Sequence, residues 1–230
     1  KGCAIYLGYR LSYPEQRIER LTPEACQRVT EEGLYTCLIK NPYPEKGRLT
    51  HGTADSEFLR DAVPMTKEEV REVSICKLHL TEDAVVYDVG SGSGSVAVEM
   101  AGISDSIQVY AIERKDTALQ LLEENRKALS AENHTVVPGL APEACPALPA
   151  PTHVFIGGSS GNMRQILNLI LEKNPHARIV ATAISLESIA ELTDCMKVFP
   201  FTETEVVSMS VARDRKAGAY HLMTGQNPIY

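Results

Sequence analysis

The sequence has no pair of cysteines spaced C-x-x-C and no two histidines at i, i+4, so a zinc site has little support. Its six cysteines, Cys3, Cys26, Cys37, Cys76, Cys145 and Cys195, are scattered. Cys37 and Cys76 lie in apolar-patterned segments and are expected to be buried small hydrophobes. No apolar run approaches the roughly 20 residues of a membrane span. The N-terminus lacks the basic-then-apolar order of a signal peptide. Scattered cysteines without an export pattern point to reduced thiols in the cytoplasm. There is no initiator Met, which points to a processed chain or one that begins inside a longer protein. Positive charge is in deficit: 23 Lys and Arg stand against 30 Asp and Glu, a net charge of −7. That balance disfavours nucleic acid and membrane surfaces as partners. An anionic substrate would need locally clustered Arg and Lys. Internal repeats and low-complexity tracts are also absent.

What is present is ordinary globular composition, 43% hydrophobic over 230 residues, enough for one good core plus an appendage. The stretch 40–58 is rich in Pro, Gly and polar residues and reads as a linker. Before it, "CAIYLG" and "LYTCLIK" are strand-like and flank a helix expected over 22–29, with Thr22 as N-cap and Pro23 in its first turn. Such a piece is too small to bury its own core. After the linker, "TKEEVREVSICKLHL" is an amphipathic helix, and Thr66 with Glu69 makes a capping box. Strands are then expected over 84–89, 107–112, 134–138, 152–157 and 178–184, with helices starting near Ser93, Asp116, Asn162 and Leu186. This alternation argues for a parallel sheet covered on both faces. Two further strand-like runs, "TETEVVSMSVA" and "AYHLMTG", are expected to add an antiparallel hairpin at the sheet edge. The expected fold is α/β, with a mostly parallel seven-stranded sheet.

The chemistry concentrates at "YDVGSGSGSVAVEMA", residues 87–101. Gly90, Gly92 and Gly94 give G-x-G-x-G, and Ser95 stands where a dinucleotide loop needs its third glycine. No G-K-[ST] follows, so the loop is not a P-loop. Asp88, two residues before the first glycine, discourages a pyrophosphate and suits a cation. Glu113, nineteen residues after Gly94, ends the second strand and offers a carboxylate to both ribose hydroxyls of a nucleoside. These features together fit S-adenosylmethionine, which has a ribose and a sulfonium but no phosphate. The plain alternative is a tight turn that binds nothing.

The segments "VPMTKEEVR", "DVGSGSGSVAVEMA", "VYAIER", "APEAC", "VFIGGSSGN" and "ATAISLES", in this order, resemble the decarboxylating precorrin C15-methyltransferases of cobalamin biosynthesis, from about His51 to the C-terminus. "YLGYRLSYPEQRIERLTPEA" with "LYTCLIKNP" is similar to the end of a tetrapyrrole methylase that acts at C5, a partner sometimes fused to the same chain. The resemblance implies three parts: residues 1–45 as the remnant of that methylase, 46–57 as linker, and 58–230 as a Rossmann-like class I S-adenosylmethionine-dependent methyltransferase. It implies a homotetramer with a tetrapyrrole substrate. It places Thr66 beside the cofactor and the loop of Gly90, Ser91, Gly92, Ser93 and Gly94 under its methionine part. Glu113 would hold the ribose, and Ala141 would line the adenine pocket. Here "GLAPEA" replaces the commoner "GDAPEA", so Leu140 offers adenine no side-chain hydrogen bond.

Methyl transfer from a sulfonium to a nucleophilic meso carbon chiefly needs orientation, which contributes on the order of 7–11 kcal/mol. Loss of carbon dioxide from the ring C acetate needs an electron sink, which the protonated macrocycle supplies, and a dry site assists it. No residue takes a catalytic role on sequence grounds. The second glycine cluster, with Gly157, Gly158, Ser159 and Asn162, follows the fourth strand and is expected to border the substrate. For the substrate carboxylates the candidates are Arg60, Arg164, Arg213, Arg215 and Lys216, with "ARDRKAG" the best cluster, between the last two strands. His51, His134, His153, His176 and His221 form no constellation with a nucleophile. Two other classes stay open: a methyltransferase of another small-molecule or protein substrate, and a non-catalytic nucleoside binder.

Overall fold

The computed structural model describes residues 3–30, 32–41 and 51–230. The chain divides into two compact units, Lys1–Leu49 and Thr50–Tyr230.

The first unit is a three-stranded antiparallel sheet of β1 (Ala4–Tyr9), β2 (Arg17–Leu21) and β3 (Tyr35–Lys40) in the order β2-β1-β3. A short helix, α1 (Pro23–Cys26), is capped by Thr22, whose Oγ1 accepts the Ala25 N–H at 3.2 Å. The sequence pattern anticipates that cap but misses β2. "RIERL" is exposed along almost its whole length, so it has no apolar alternation to reveal it. Tyr9 is buried, with the Tyr35 ring 5.0 Å away and the Arg17 guanidinium 4.5 Å from its centroid.

The second unit alternates strand and helix. After α2 (Glu68–Leu78) come β4 (Val85–Val89), α3 (Ser95–Ala101), β5 (Gln108–Glu113), α4 (Asp116–Ala128), β6 (His134–Pro138) and β7 (His153–Ile156). Then follow α5 (Met163–Lys173), β8 (Arg178–Ala181) and α6 (Leu186–Val198). The sheet is wholly parallel in the order β6-β5-β4-β7-β8. β4 is followed on one side by β5 and β6, and the chain then returns to its other side as β7. The carboxyl ends of β4 and β7 therefore flank a topological switch point, where open α/β sheets bind ligands.

One face of the sheet packs Val86, Val109 and Phe155 against Ile75, Leu78, Val96, Met100 and Leu122. The other packs Tyr87, Val89, Val154 and Ile156 against Ile166, Ile170 and Cys195. Each large apolar side chain so buried contributes about 1.5–3 kcal/mol. Cys145 and Cys195 are the buried thiols, whereas Cys37 and Cys76, expected inside, are exposed. Apolar neighbours in sequence did not mean an inward-facing position.

The sheet has five strands rather than seven. The hairpin of β9 (Ala212–Ala217) and β10 (Tyr220–Gly225) forms its own two-stranded sheet. Its first strand is "ARDRKA", not "TETEVVSMSVA", because pairing starts only where a partner faces it. Residues 203–208 form no strand and leave Val206 67% exposed. The edge beyond β8 is instead met by the C-terminus, where Tyr230 and Ala183 exchange main-chain hydrogen bonds of 2.8 and 2.9 Å.

Of the expected linker, 46–50 lies outside the described residues, while 51–57 is packed structure. The buried Glu99 carboxylate accepts the N–H groups of Gly52 and Thr53, and Asp55–Glu57 forms a 3-10 turn. Beneath this strap Arg71 is fully buried. It donates to Glu99, to Asp55 at 3.2 Å, to the Thr66 carbonyl at 2.8 Å and to the Thr53 carbonyl. A buried guanidinium is tolerable only when paired in this way.

Candidate functional site

The glycine loop joins β4 to α3. Gly90, Gly92 and Gly94 have φ of +73°, +58° and +79°, a region that costs other residues roughly 1–2 kcal/mol. The loop spends most of its N–H groups on itself and on β5. Those of Gly90 and Ser91 donate to the Ile112 carbonyl at 3.0 and 3.1 Å, and that of Gly94 to the Ser91 carbonyl at 2.9 Å. The Gly92 N–H donates to Glu113 Oε2 at 2.9 Å. Such a loop has few donors left to cradle a phosphate, which separates it from phosphate-binding loops.

Beside it opens a cleft of about 230 Å³. Val89, Gly90 and Gly92 form its floor, Ile112, Glu113, Arg114 and Lys115 one side, and Leu140 and Ala141 another. Gly157, Gly158, Ser159 and Ser160 close it from the end of β7, and Val63 and Pro64 from the strap. The two glycine loops touch: a methyl carbon on Gly90 would lie 2.6 Å from the Gly158 carbonyl oxygen. A methyl carbon on Gly92 would lie 2.8 Å from the Pro64 carbonyl oxygen. A methyl carbon on Gly158 would meet nothing within 4 Å. The first loop is thus glycine for packing as well as conformation, and Gly158 leaves space empty.

Of the residues read from sequence, the cleft gathers Gly90, Gly92, Glu113, Ala141, Gly157, Gly158 and Ser159. Glu113 is more committed than expected. Besides Gly92, its Oε1 accepts the N–H groups of Arg114 at 2.8 Å and Lys115 at 2.9 Å. A carboxylate offers about four lone-pair sites, so three accepted bonds leave room for one ribose hydroxyl, not an unencumbered pair. The remaining residues stand behind or outside the lining. Asp88 is buried under the loop and accepts the Ser91 hydroxyl at 2.6 Å. Burial pushes its carboxyl up to about 7, against the smaller pull of the Ser91 hydrogen bond. It lies beneath the loop and outside the cleft lining, as do Ser91, Ser93 and Gly94.

Thr66 does not line the cleft either, and the capping box does not form. The Glu68 N–H donates to Asp55 Oδ1 at 3.0 Å, so a carboxylate from the strap takes the capping role, and Glu69 turns to Arg213. Arg213 lies within β9, not in a turn, and its guanidinium is spent on Glu69 at 2.6 and 2.9 Å and on Asp55 at 3.2 Å. Asn162 is outside the lining and donates to the Ala141 carbonyl at 3.2 Å, tying the start of α5 to the neighbouring loop. Sequence reasoning missed Val63, Pro64, Arg114 and Lys115. The last two directly follow Glu113, so their position was legible. Neither Arg114 nor Lys115 makes an ion pair among the described residues, which gives an acidic chain a locally cationic cleft.

A five-stranded parallel sheet with a glycine loop after its central strand and a carboxylate ending the next is the fold of class I S-adenosylmethionine-dependent methyltransferases. The family described as "Precorrin methyltransferase domain" matches residues 56–230, and the chain belongs to that family. A relative from Pyrobaculum calidifontis, named "Probable cobalt-precorrin-6B C(15)-methyltransferase (decarboxylating)", is 36% identical over 79% of this chain and 94% of its own length. Among solved structures, the precorrin-6y C5,15-methyltransferase of Geobacter metallireducens superposes with a TM-score of 0.73 at 33% identity. It covers 78% of this chain and 94% of that one. The precorrin 8W decarboxylase of Methanobacterium thermoautotrophicum gives a TM-score of 0.72 at 34% identity, over 77% and 96% of the two chains. Among the described residues, no helix is long and apolar enough to cross a membrane.

Proposed function

We propose that this chain methylates C15 of a precorrin-6B-type tetrapyrrole and removes the carboxyl group of its ring C acetate, with S-adenosylmethionine as methyl donor. The observation that supports this most is the cleft at the switch point of a precorrin methyltransferase domain, bounded by two glycine loops and Glu113. The residues fit the donor. A carboxylate, an internally bonded glycine loop and an apolar slot of Ile112, Leu140 and Ala141 suit a nucleoside without phosphate. When bound, S-adenosylmethionine supplies an electrophilic methyl group. Glu113 would hold a ribose hydroxyl, and Leu140 with Ala141 would line the base. The open space at Gly158 and Ser159 would take an edge of the flat macrocycle, and Arg114 and Lys115 would attract its carboxylates. Val63 and Pro64 would help exclude water from the reacting groups.

Two further parts of this reading rest on family likeness: residues 1–45 as the tail of a tetrapyrrole methylase, and assembly into a homotetramer. The test of function is transfer of a labelled methyl group from S-adenosylmethionine to the tetrapyrrole, with the position read by carbon NMR. Label at C15 alone is expected. Label at C5, or on a different class of acceptor only, would overturn the assignment.

A further inference from the structure

Asn125, on α4, is fully buried and is not among the residues that line the cleft. Its side-chain amide makes three hydrogen bonds. Oδ1 accepts the Leu59 N–H at 2.7 Å, and Nδ2 donates to the Leu59 carbonyl at 3.1 Å and to the Ser93 carbonyl at 2.9 Å. One amide thus serves as a strand-like partner for Leu59 in the strap while holding the glycine loop. Leu59 is 46% exposed, so packing alone does not fix that residue. Downstream, residues 60–62 are exposed, and the strap then enters the cleft as Val63 and Pro64. The next anchors are the Met65 side chain, packed against the core, and the Thr66 carbonyl, held by Arg71 at 2.8 Å. The cleft-wall residues Val63 and Pro64 therefore lie between the Asn125 anchor upstream and Met65 with Arg71 downstream, and Asn125 also grips the glycine loop.

We propose that Asn125 is a positioning residue: acting through Leu59 and Ser93, it fixes the Val63–Pro64 wall against the glycine loop and thereby sets the affinity of the cleft for S-adenosylmethionine. The affinity part rests on the reading of the cleft given above. The mechanical part does not. Without the amide, the strap keeps its upstream attachment to Glu99 and its downstream attachment to Arg71, but residues 59–64 lose their register against Gly92. The folded unit persists, and the ligand must order the wall on binding, which lowers affinity.

The test compares wild type with Asn125→Ala by hydrogen–deuterium exchange of the free protein and by calorimetric titration with S-adenosylmethionine. Exchange should quicken at Leu59, whose N–H is held by Asn125 Oδ1, while β4 and β5 keep wild-type protection. The Kd should rise about tenfold, the loss of one to two net hydrogen bonds, with kcat at saturating donor little changed. Leu59→Pro, which removes the strap N–H that Asn125 Oδ1 accepts while also fixing φ at this exposed position, repeats the titration from the other side if Asn125→Ala fails to fold. Exchange that quickens throughout with Kd unchanged in the folded protein would reduce Asn125 to a stabilising residue and overturn the proposal. Local quickening with unchanged Kd would overturn it equally, since the wall would not govern affinity. If the wild type itself does not bind S-adenosylmethionine, the cofactor reading fails, while the exchange data still decide whether Asn125 holds the strap.

Discussion

Gly90→Ala and Gly158→Ala are the same chemical change made in two loops that touch, yet the structure assigns them opposite consequences. At Gly90 the added carbon would stand 2.6 Å from the Gly158 oxygen and 2.9 Å from its nitrogen, with φ at +73°. The obstacle is main chain, which cannot swing aside. The left-handed conformation costs alanine about 1–2 kcal/mol, and the forced shift of a packed neighbour about 1–3 kcal/mol. The sum, roughly 2–5 kcal/mol, is a large share of the usual 5–15 kcal/mol of stability. For a unit of this size it lowers the melting temperature by roughly 4–20 °C. At Gly158 the added carbon meets nothing, so stability should stay within about 0.5 kcal/mol of wild type. The methyl group would instead occupy ligand space and weaken S-adenosylmethionine or acceptor binding by about tenfold. Thermal unfolding with titration of each ligand measures both arms. Equal destabilisation by the two variants would refute the apposition of the loops. Wild-type binding by Gly158→Ala would remove the second loop from the site.

Three more outcomes follow from the same geometry. Glu113→Gln should raise the S-adenosylmethionine Kd at least about tenfold, because a neutral amide loses charge-assisted bonds worth about 1.5–3 kcal/mol each; unchanged titration would place the ribose elsewhere. Asp88 has its carboxyl raised to about 7 when folded, so its contribution to stability falls as pH rises from about 4 to about 7. His134, buried and pushed down to about 4, does the reverse: stability is lost as pH falls from about 6.5 towards 4. Asp88→Asn should therefore be stabilised relative to wild type, increasingly so up to pH 7 and constantly above it, when denaturant unfolding is followed against pH. A difference that shrinks as pH rises would contradict the burial of a costly carboxylate. Replacing both Arg114 and Lys115 with Gln should raise KM for the tetrapyrrole about five- to tenfold and flatten its salt dependence, while leaving the S-adenosylmethionine Kd unchanged. The opposite split would assign the pair to the nucleoside.

The sequence disclosed the parts of the molecule that are governed by local pattern. The strands at 85–89, 108–113 and 134–138 fall within a residue of their expected positions, because each carries β-branched apolar residues, even the partly exposed edge strand 134–138. The loop and Glu113 were legible because their spacing follows from the strand–turn–helix path between them. The strands β2 and β9 were not. "RIERL" and "ARDRKA" are charged and face solvent, and only the opposing strand makes them extended. Long-range polar contacts were equally silent. Thr66 and Glu69 satisfy the capping pattern, yet Asp55, thirteen residues before Glu68, takes the cap. Nothing local marks Asn125, whose partners lie 66 and 32 residues away, or the pairing of Arg71 with Glu99. Arg213 looked available because the carboxylates that consume it are 144 and 158 residues distant.

Whether the cleft couples methyl transfer to loss of a carboxyl group is read from the mass of the product. The full chain is incubated with S-adenosylmethionine and a precorrin-6B-type tetrapyrrole, with and without cobalt, and released carbon dioxide is counted against S-adenosylhomocysteine. The expected product carries one added methyl and lacks one carboxyl group, with the two by-products formed in equal amounts. Methylation with every carboxyl group retained, or carbon dioxide released without methyl transfer, would contradict that coupling.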